Sequence, residues 1–268
     1  MNDENSVSVI VITWNQVECL SRCLESICND FDFNQDEIIV IDNGSEDDSE
    51  SVIRTRFPDV RYFPLKNNIG VGPARNRGIL ASSKKFIMTL DNDAYLTTPF
   101  PVVKNSIIEA FATVENLGVM GFRLCYPSGQ YQFNGRQFPR MLQPLSSRLT
   151  LLRKFKYFHE LHTRHMRTEL EQSLNGLHEV DYVLGANQIY RRHSLATTSV
   201  YDESIFYGPE DIEFCWKHKI AGHRNMVNMS CTISHDYQRR STKINGLFIR
   251  HLFSFYRIWL KIRPTRQA

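Results

Sequence analysis

At 268 residues, with 42% hydrophobic and 23% charged side chains, the chain has the composition of an ordinary globular protein, which excludes a disordered or low-complexity class. No stretch reaches the roughly 18 apolar residues that a membrane-spanning helix requires. Nor does the polar, acidic start followed by the short run Val7–Ile12 resemble a secretory signal, so the expected location is cytoplasmic.

In chain order, short apolar runs alternate with helical patterns. Val7–Thr13 predicts a first strand, and Leu20, Cys23, Leu24 and Ile27 recur at helical spacing after it. Ile38–Ile41 predicts a second strand, ended by the turn Asn43-Gly44-Ser45, and Val60–Leu65 a third. Gly72–Ser83 reads as a helix with Pro73 in its first turn. Lys85–Leu90 is a fourth strand, Val102–Glu115 a helix and Val119–Leu124 a fifth strand. Such alternation predicts an α/β fold built on a mainly parallel sheet covered on both faces.

Beyond residue 124 the pattern changes. Pro127-Ser128-Gly129 and Asn134-Gly135 predict a hairpin, and Arg140–Asn175 a largely helical, basic stretch. Tyr182–Tyr190 reads as one strand, Glu210–Ile220 as a helix, Asn225–Val227 and Thr232–Ser234 as two short strands, and Ile244–Ile262 as a final helix. The six cysteines show neither Cys-x-x-Cys nor zinc-ligand spacing and read as packed thiols.

The net charge of +3 conceals an asymmetry. Residues 1–139 carry 12 Lys/Arg against 18 Asp/Glu, and residues 140–268 carry 20 against 11. The first half therefore reads as a platform for a metal or nucleotide, and the second as a face for an anion or anionic surface.

Three strands end in polar groups: Thr13 and Asn15, Asp42 and Asn43, Asp91 and Asp93. If the strands are parallel, all three emerge at the carboxyl edge of the sheet, where open α/β sheets bind ligands. Asp and Asn also simply begin turns after strands. The pair Asp91 and Asp93 is the sharper signal, because two carboxylates so close repel unless a cation lies beside them. A hard divalent ion, Mn²⁺ or Mg²⁺, takes such oxygens while keeping positions free for phosphate. Asn68-Ile69-Gly70-Val71-Gly72 invites a dinucleotide reading, but the fingerprint would need glycine where Arg75 stands. Arg75 and Arg77 could approach a diphosphate or face solvent.

These segments together resemble the GT-A family 2 glycosyltransferases. The resemblance runs through Val9–Asn15, Val40–Ser45, Asn68-Ile69-Gly70 with Asn76, and Leu90–Asp93. It continues through Gly185-Ala186-Asn187 with Arg191-Arg192, Phe206–Glu213 and His235, so it spans residues 7 to about 240. The bacterial rhamnosyltransferase-like and galactofuranosyltransferase-like branches are the most similar.

The resemblance implies a single GT-A domain over 1–268, with a Rossmann-like mixed sheet flanked by helices. Residues 1–124 would form the nucleotide-sugar-binding half and 125–240 the acceptor half, with a basic amphipathic helix at 241–268. Thr13, Asn15 and Asn68 would line the nucleotide pocket and Asp42 would contact the base. Asp91, with Arg75 nearby, would lie by the ribose or diphosphate, and Asp93 and His235 would hold Mn²⁺ or Mg²⁺. Asp211, paired with Glu210, would be the general base that takes the acceptor hydroxyl proton, in an inverting transfer from a nucleotide-sugar donor to a glycan or lipid-linked glycan. Glu210 and Asp211 equally suit the first turn of a helix, and His235 equally suits an ordinary strand end.

Residues 239–268 hold eight Lys/Arg and no acid, interleaved with Phe253, Phe255, Tyr256, Trp259 and Leu260. This reads as a peripheral membrane-surface element or as a helix docked on the sheet with a solvated basic face. Nucleic acid has no supporting motif here. Two competing functions remain: a non-catalytic basic membrane-surface or interaction protein on the same fold, and a nucleotidyltransferase.

Overall fold

The computed structural model describes residues 5–143, 150–237 and 246–262. Its centre is a ten-stranded mixed sheet. Strand β1 (Val7–Thr13) lies between β2 (Glu37–Asp42) and β4 (Phe86–Asp91), parallel to both, and β3 (Arg61–Pro64) extends the parallel set beyond β2. Every residue of β1 and β2 is buried, as expected of parallel strands covered on two sides. Alternation divides them between two cores. Val7, Val9 and Val11 join Leu20, Cys23, Leu24 and Ile27 of helix α1 (Val17–Cys28), while Ile10 and Ile12 join Ala74 and Ile79 of helix α3 (Val71–Ala81). A short helix α2 (Ser49–Arg56), absent from the sequence reading, links β2 to β3. Gly78 lets α3 lie close on β1, because a Cβ there would come within 2.3 Å of Ile10 Cγ2.

The other half of the sheet is mixed, as the resemblance implied. A three-residue strand β5 (Ala94–Leu96) follows β4 immediately, then helix α4 (Phe100–Thr113) and strand β6 (Leu117–Cys125). The turn at 127–129 returns the chain onto β6 as β7 (Tyr131–Gln132), so the first turn signal does make a hairpin. The second does not: Asn134-Gly135 leads into β8 (Gly135–Arg136), in a separate two-stranded sheet with β10 (Tyr182–Val183). The described part of the expected helical stretch holds helix α5 (Lys156–Met166) between two 3₁₀ turns; residues 144–149 lie outside the described residues.

Two strand predictions need correction. Tyr182–Tyr190 is not one strand, because the chain turns at Leu184–Asn187 and passes from β10 to β11 (Asn187–Arg191) in the main sheet. There β11 runs antiparallel between β4 and β6. Conversely, the two strands expected at 225–234 are one, β12 (Arg224–His235), parallel to β6 across a bulge between Asn228 and Thr232. The interval between the two expected strands is the bulge itself, with Asn228 Oδ1 accepting the Ser230 amide. Strand β9 (Leu177–Val180) and β5 both pair antiparallel with β12.

A helical turn α6 (Leu195–Thr198) and helix α7 (Glu210–Ile220) complete this half, and helix α8 (Gly246–Ile262) packs near α7. The expected start of α8 at Ile244 lies outside the described residues. Ile258 and Ile262 are buried in the second core, while Phe253, Tyr256 and Leu260 are exposed. No helix among the described residues is long and apolar enough to cross a membrane.

Candidate active site

The parallel register brings the three strand ends together. Thr13 stands opposite Asp42, and Ile12 opposite Asp91, so the polar residues that follow β1, β2 and β4 share one edge. Asn92, which the sequence reading passed over, is buried and donates to Thr13 Oγ1 at 3.0 Å. That inward bond takes Asn92 out of the way between the two flanking carboxylates. Asn15, with φ at +51°, accepts the Glu46 amide and so ties the loop after β1 to the loop after β2. Asp42 is buried and accepts from the Ser45 amide at 2.8 Å and from the Tyr62 hydroxyl. Asn43 accepts the Ile69 amide and donates to Asn68 Oδ1, which pins the 68–70 loop beside the same edge.

β5 decides where His235 falls. By turning back directly after Asp93 and pairing with β12, it sets Ala94 opposite His235, and the Asp236 amide donates to the Asp93 carbonyl. Ligand atoms of Asp91, Asp93 and His235 all lie within 4.8 Å of one another, with His235 Nε2 3.3 Å from Asp93 Oδ1. The two carboxylates suit a hard divalent ion, Mn²⁺ or Mg²⁺, and the imidazole nitrogen favours Mn²⁺ of the two. Burial would lower the His235 pKa, but the hydrogen bond and charge of Asp93, with Asp91 and Asp236, raise it.

Arg75 is the side chain that joins the two halves. It does not face solvent: it is 1% exposed, its Nη2 donates to Asp91 Oδ1 and to the Gly185 carbonyl, both at 2.8 Å, and its Nη1 reaches Glu210 Oε1 at 3.1 Å. Burial works against its charge, but the carboxylates of Asp91 and Glu210 hold it protonated. Position 185 has room only for glycine, since a Cβ would stand 2.7 Å from Nη1. Arg77, on the opposite side of α3, is exposed.

Glu210 and Asp211 open α7, as the sequence implied. Asp211 Oδ2 accepts the Gly185 amide at 3.2 Å and Oδ1 its own neighbour's amide, Ile212, at 2.8 Å. The helix-start reading therefore holds for Asp211 in part, and these bonds leave its orientation defined. Burial raises the pKa of Asp211, with the two amides and Arg75 pulling the other way. Burial likewise raises Glu210 against the Arg75 charge, and Asp211 adds to the rise. Sequence reasoning missed the roles of Asn92 and Gln132. Asn92 lies inside the Leu90–Asp93 motif, but its partner Thr13 is 79 residues away; Gln132, bonded to His235 103 residues away, belongs to no pattern along the chain.

An open mixed sheet with a carboxylate–histidine cluster at its carboxyl edge is the GT-A architecture. The chain belongs to glycosyl transferase family 2, whose model matches residues 8–198. Among curated relatives, the GalNAc(5)-diNAcBac-PP-undecaprenol beta-1,3-glucosyltransferase of Campylobacter jejuni is 39% identical over 92 residues, 32% of this chain and 29% of that protein. Among solved structures, GalNAc-T7 with UDP, GalNAc and Mn²⁺ superposes with a TM-score of 0.66 at 14% identity, covering 94% of this chain and 47% of that one. The mannosyltransferase PcManGT from Pyrobaculum calidifontis, in complex with GDP-Man and Mn²⁺, gives 0.61 at 17% identity, covering 95% and 64%. At these identities the two structures establish the fold. The chain spans less than two thirds of each of these proteins.

Proposed function

We propose that this chain transfers a sugar from a nucleotide-sugar donor to a hydroxyl of a glycan or lipid-linked glycan acceptor, with inversion, as a step in building a cell-surface polysaccharide. The observation that carries the reading is the Asp91–Asp93–His235 cluster joined through Arg75 to Glu210 at the start of α7. Asp93 and His235, with Asp91, would hold Mn²⁺ or Mg²⁺. When bound there, such an ion neutralises charge on the departing diphosphate.

The protein's own groups divide the remaining work. Thr13, Asn15, Asp42 and Asn68 line the edge where the nucleoside would lie. Asp211, held by the Gly185 amide, takes the proton from the acceptor hydroxyl as the new bond forms; a sugar hydroxyl is otherwise too poor a nucleophile. Glu210 holds Arg75, and Arg75 holds Asp91, so donor and acceptor sides keep a fixed relation. A base on one side and the leaving group on the other suit in-line displacement, hence inversion. Motifs 185–187 and 206–213 favour the rhamnosyl- or galactofuranosyl-transferring branch, and we read the described residues as parts of one domain.

The test is thermal stabilisation by UDP, GDP, dTDP and CDP, each with and without Mn²⁺, on wild type and Asp93→Ala. One diphosphate should stabilise the protein only with metal, by about 2.7 kcal/mol at a hundred times its Kd, and Asp93→Ala should abolish the effect. If no diphosphate stabilises under either condition, the transferase reading fails and the basic interaction protein takes its place. Consumption of a nucleoside triphosphate with pyrophosphate release would instead mark a nucleotidyltransferase.

The exposed Phe253, Tyr256 and Leu260 beside Arg257 on α8 support a peripheral position at the inner face of the cell membrane. Binding to anionic vesicles should fall about tenfold or more in a Phe253→Ser, Tyr256→Ser variant. Unchanged binding would leave α8 as a docking helix alone.

A further inference from the structure

Gln132 sits behind His235 and makes two bonds to it. Its Nε2 lies 2.6 Å from the His235 backbone carbonyl, and its Oε1 2.8 Å from His235 Nδ1. A carbonyl oxygen can only accept, so the amide nitrogen must face it, and the orientation of the Gln132 side chain follows. Oε1 then faces Nδ1, and Nδ1 must carry the hydrogen. Nε2 then points at Asp93 Oδ1 3.3 Å away. In the imidazolium Nε2 donates a proton to that carboxylate, and in the neutral ring its lone pair faces the same oxygen, an arrangement that a metal cation between them relieves. Gln132 and His235 are 6% and 4% exposed, so water does not compete for these bonds. The placement is built into the sheet: β7 pairs Gln132 with Leu124 of β6, and β6 runs beside β12 up to Ser234.

We propose that Gln132 is a positioning residue that fixes His235 in the Nδ1–H tautomer and so presents Nε2 to a divalent cation shared with Asp93 and Asp91. This rests on the metal reading of that cluster. The partner of one ring nitrogen decides which nitrogen can ligate, and such outer partners change metal affinity by about 10–100-fold.

The experiment is a double-mutant cycle read by Mn²⁺ electron paramagnetic resonance titration, with no substrate present. Gln132→Met should weaken Mn²⁺ binding about 10–100-fold in the wild-type background. In a His235→Ala background the same change should have an effect of at most about twofold, because Gln132 acts through the imidazole. Melting temperatures in EDTA verify that the variants fold. If Gln132→Met does not fold, Gln132→Glu serves instead. It keeps an acceptor for Nδ1 but has no N–H for the carbonyl, so wild-type affinity or better is expected, whereas a purely structural role predicts loss. Equal weakening in both backgrounds, or none in the wild-type background, overturns the role of Gln132 alone. Wild type that binds no Mn²⁺ overturns the metal reading and this inference with it.

Discussion

Asp211→Asn should lower kcat by about 10²–10⁴-fold, the usual contribution of a positioned general base, while the protein stays folded. The substitution preserves shape but removes the ability to take a proton. It also leaves one of two amides without an acceptor, since Asp211 receives both Gly185 and Ile212 and an asparagine offers a single oxygen. That loss costs about 1 kcal/mol of stability, far short of unfolding a domain of this size. Release of the nucleoside diphosphate identified by thermal stabilisation gives kcat, and circular dichroism checks the fold. The pH profile follows from the same environment. Burial raises the Asp211 and Glu210 pKa values, so kcat/KM should decline on the acid side at a pH above the ordinary carboxylate range. The limb belongs to the pair, not to either residue. Near-normal turnover in Asp211→Asn would remove it from the base role.

Arg75→Met should destabilise the protein by about 3 kcal/mol at pH 8. Removing one partner of a buried ion pair costs about 3–5 kcal/mol; the lower end applies because Asp91 is one-third exposed and partly solvated, whereas Glu210 is nearly enclosed. Arg75→Lys should recover little, because one ammonium cannot span Asp91, Gly185 and Glu210 in the way a planar fork does. The effect should shrink on acidification. Without the guanidinium the folded-state pKa of Glu210 rises further, so the folded variant takes up a proton before the unfolded chain does. The variant therefore gains stability relative to wild type as pH falls through that raised value. Urea unfolding at pH 8 and pH 5 measures both. A variant as stable as wild type at pH 8 would show that Arg75 does not hold these carboxylates together.

What the sequence by itself determined is the parallel half of the sheet and the polar residues gathered at its edge. Its signals there are local: full burial of Val7–Thr13, helical spacing from Leu20 to Ile27, and polar residues at each strand end are all readable within a few positions. Asp91 and Asp93 stand out because their motif is short and contiguous, whereas Glu210, Asp211 and His235 are singled out only through the family resemblance. Only the tertiary structure decided how these pieces meet. The three-residue β5 carries too few side chains to show a period, yet its pairing with β12 is what sets His235 beside Asp93. Arg75 looked equally suited to solvent and to a phosphate, because no local pattern reveals a buried guanidinium whose acceptors lie 16, 110 and 135 residues away. The same limit hid Gln132, whose partner is 103 residues distant. Periodicity records which face of an element is apolar. It carries no information about which polar side chains satisfy one another across the sheet, and in this protein those long-range hydrogen bonds assemble the site.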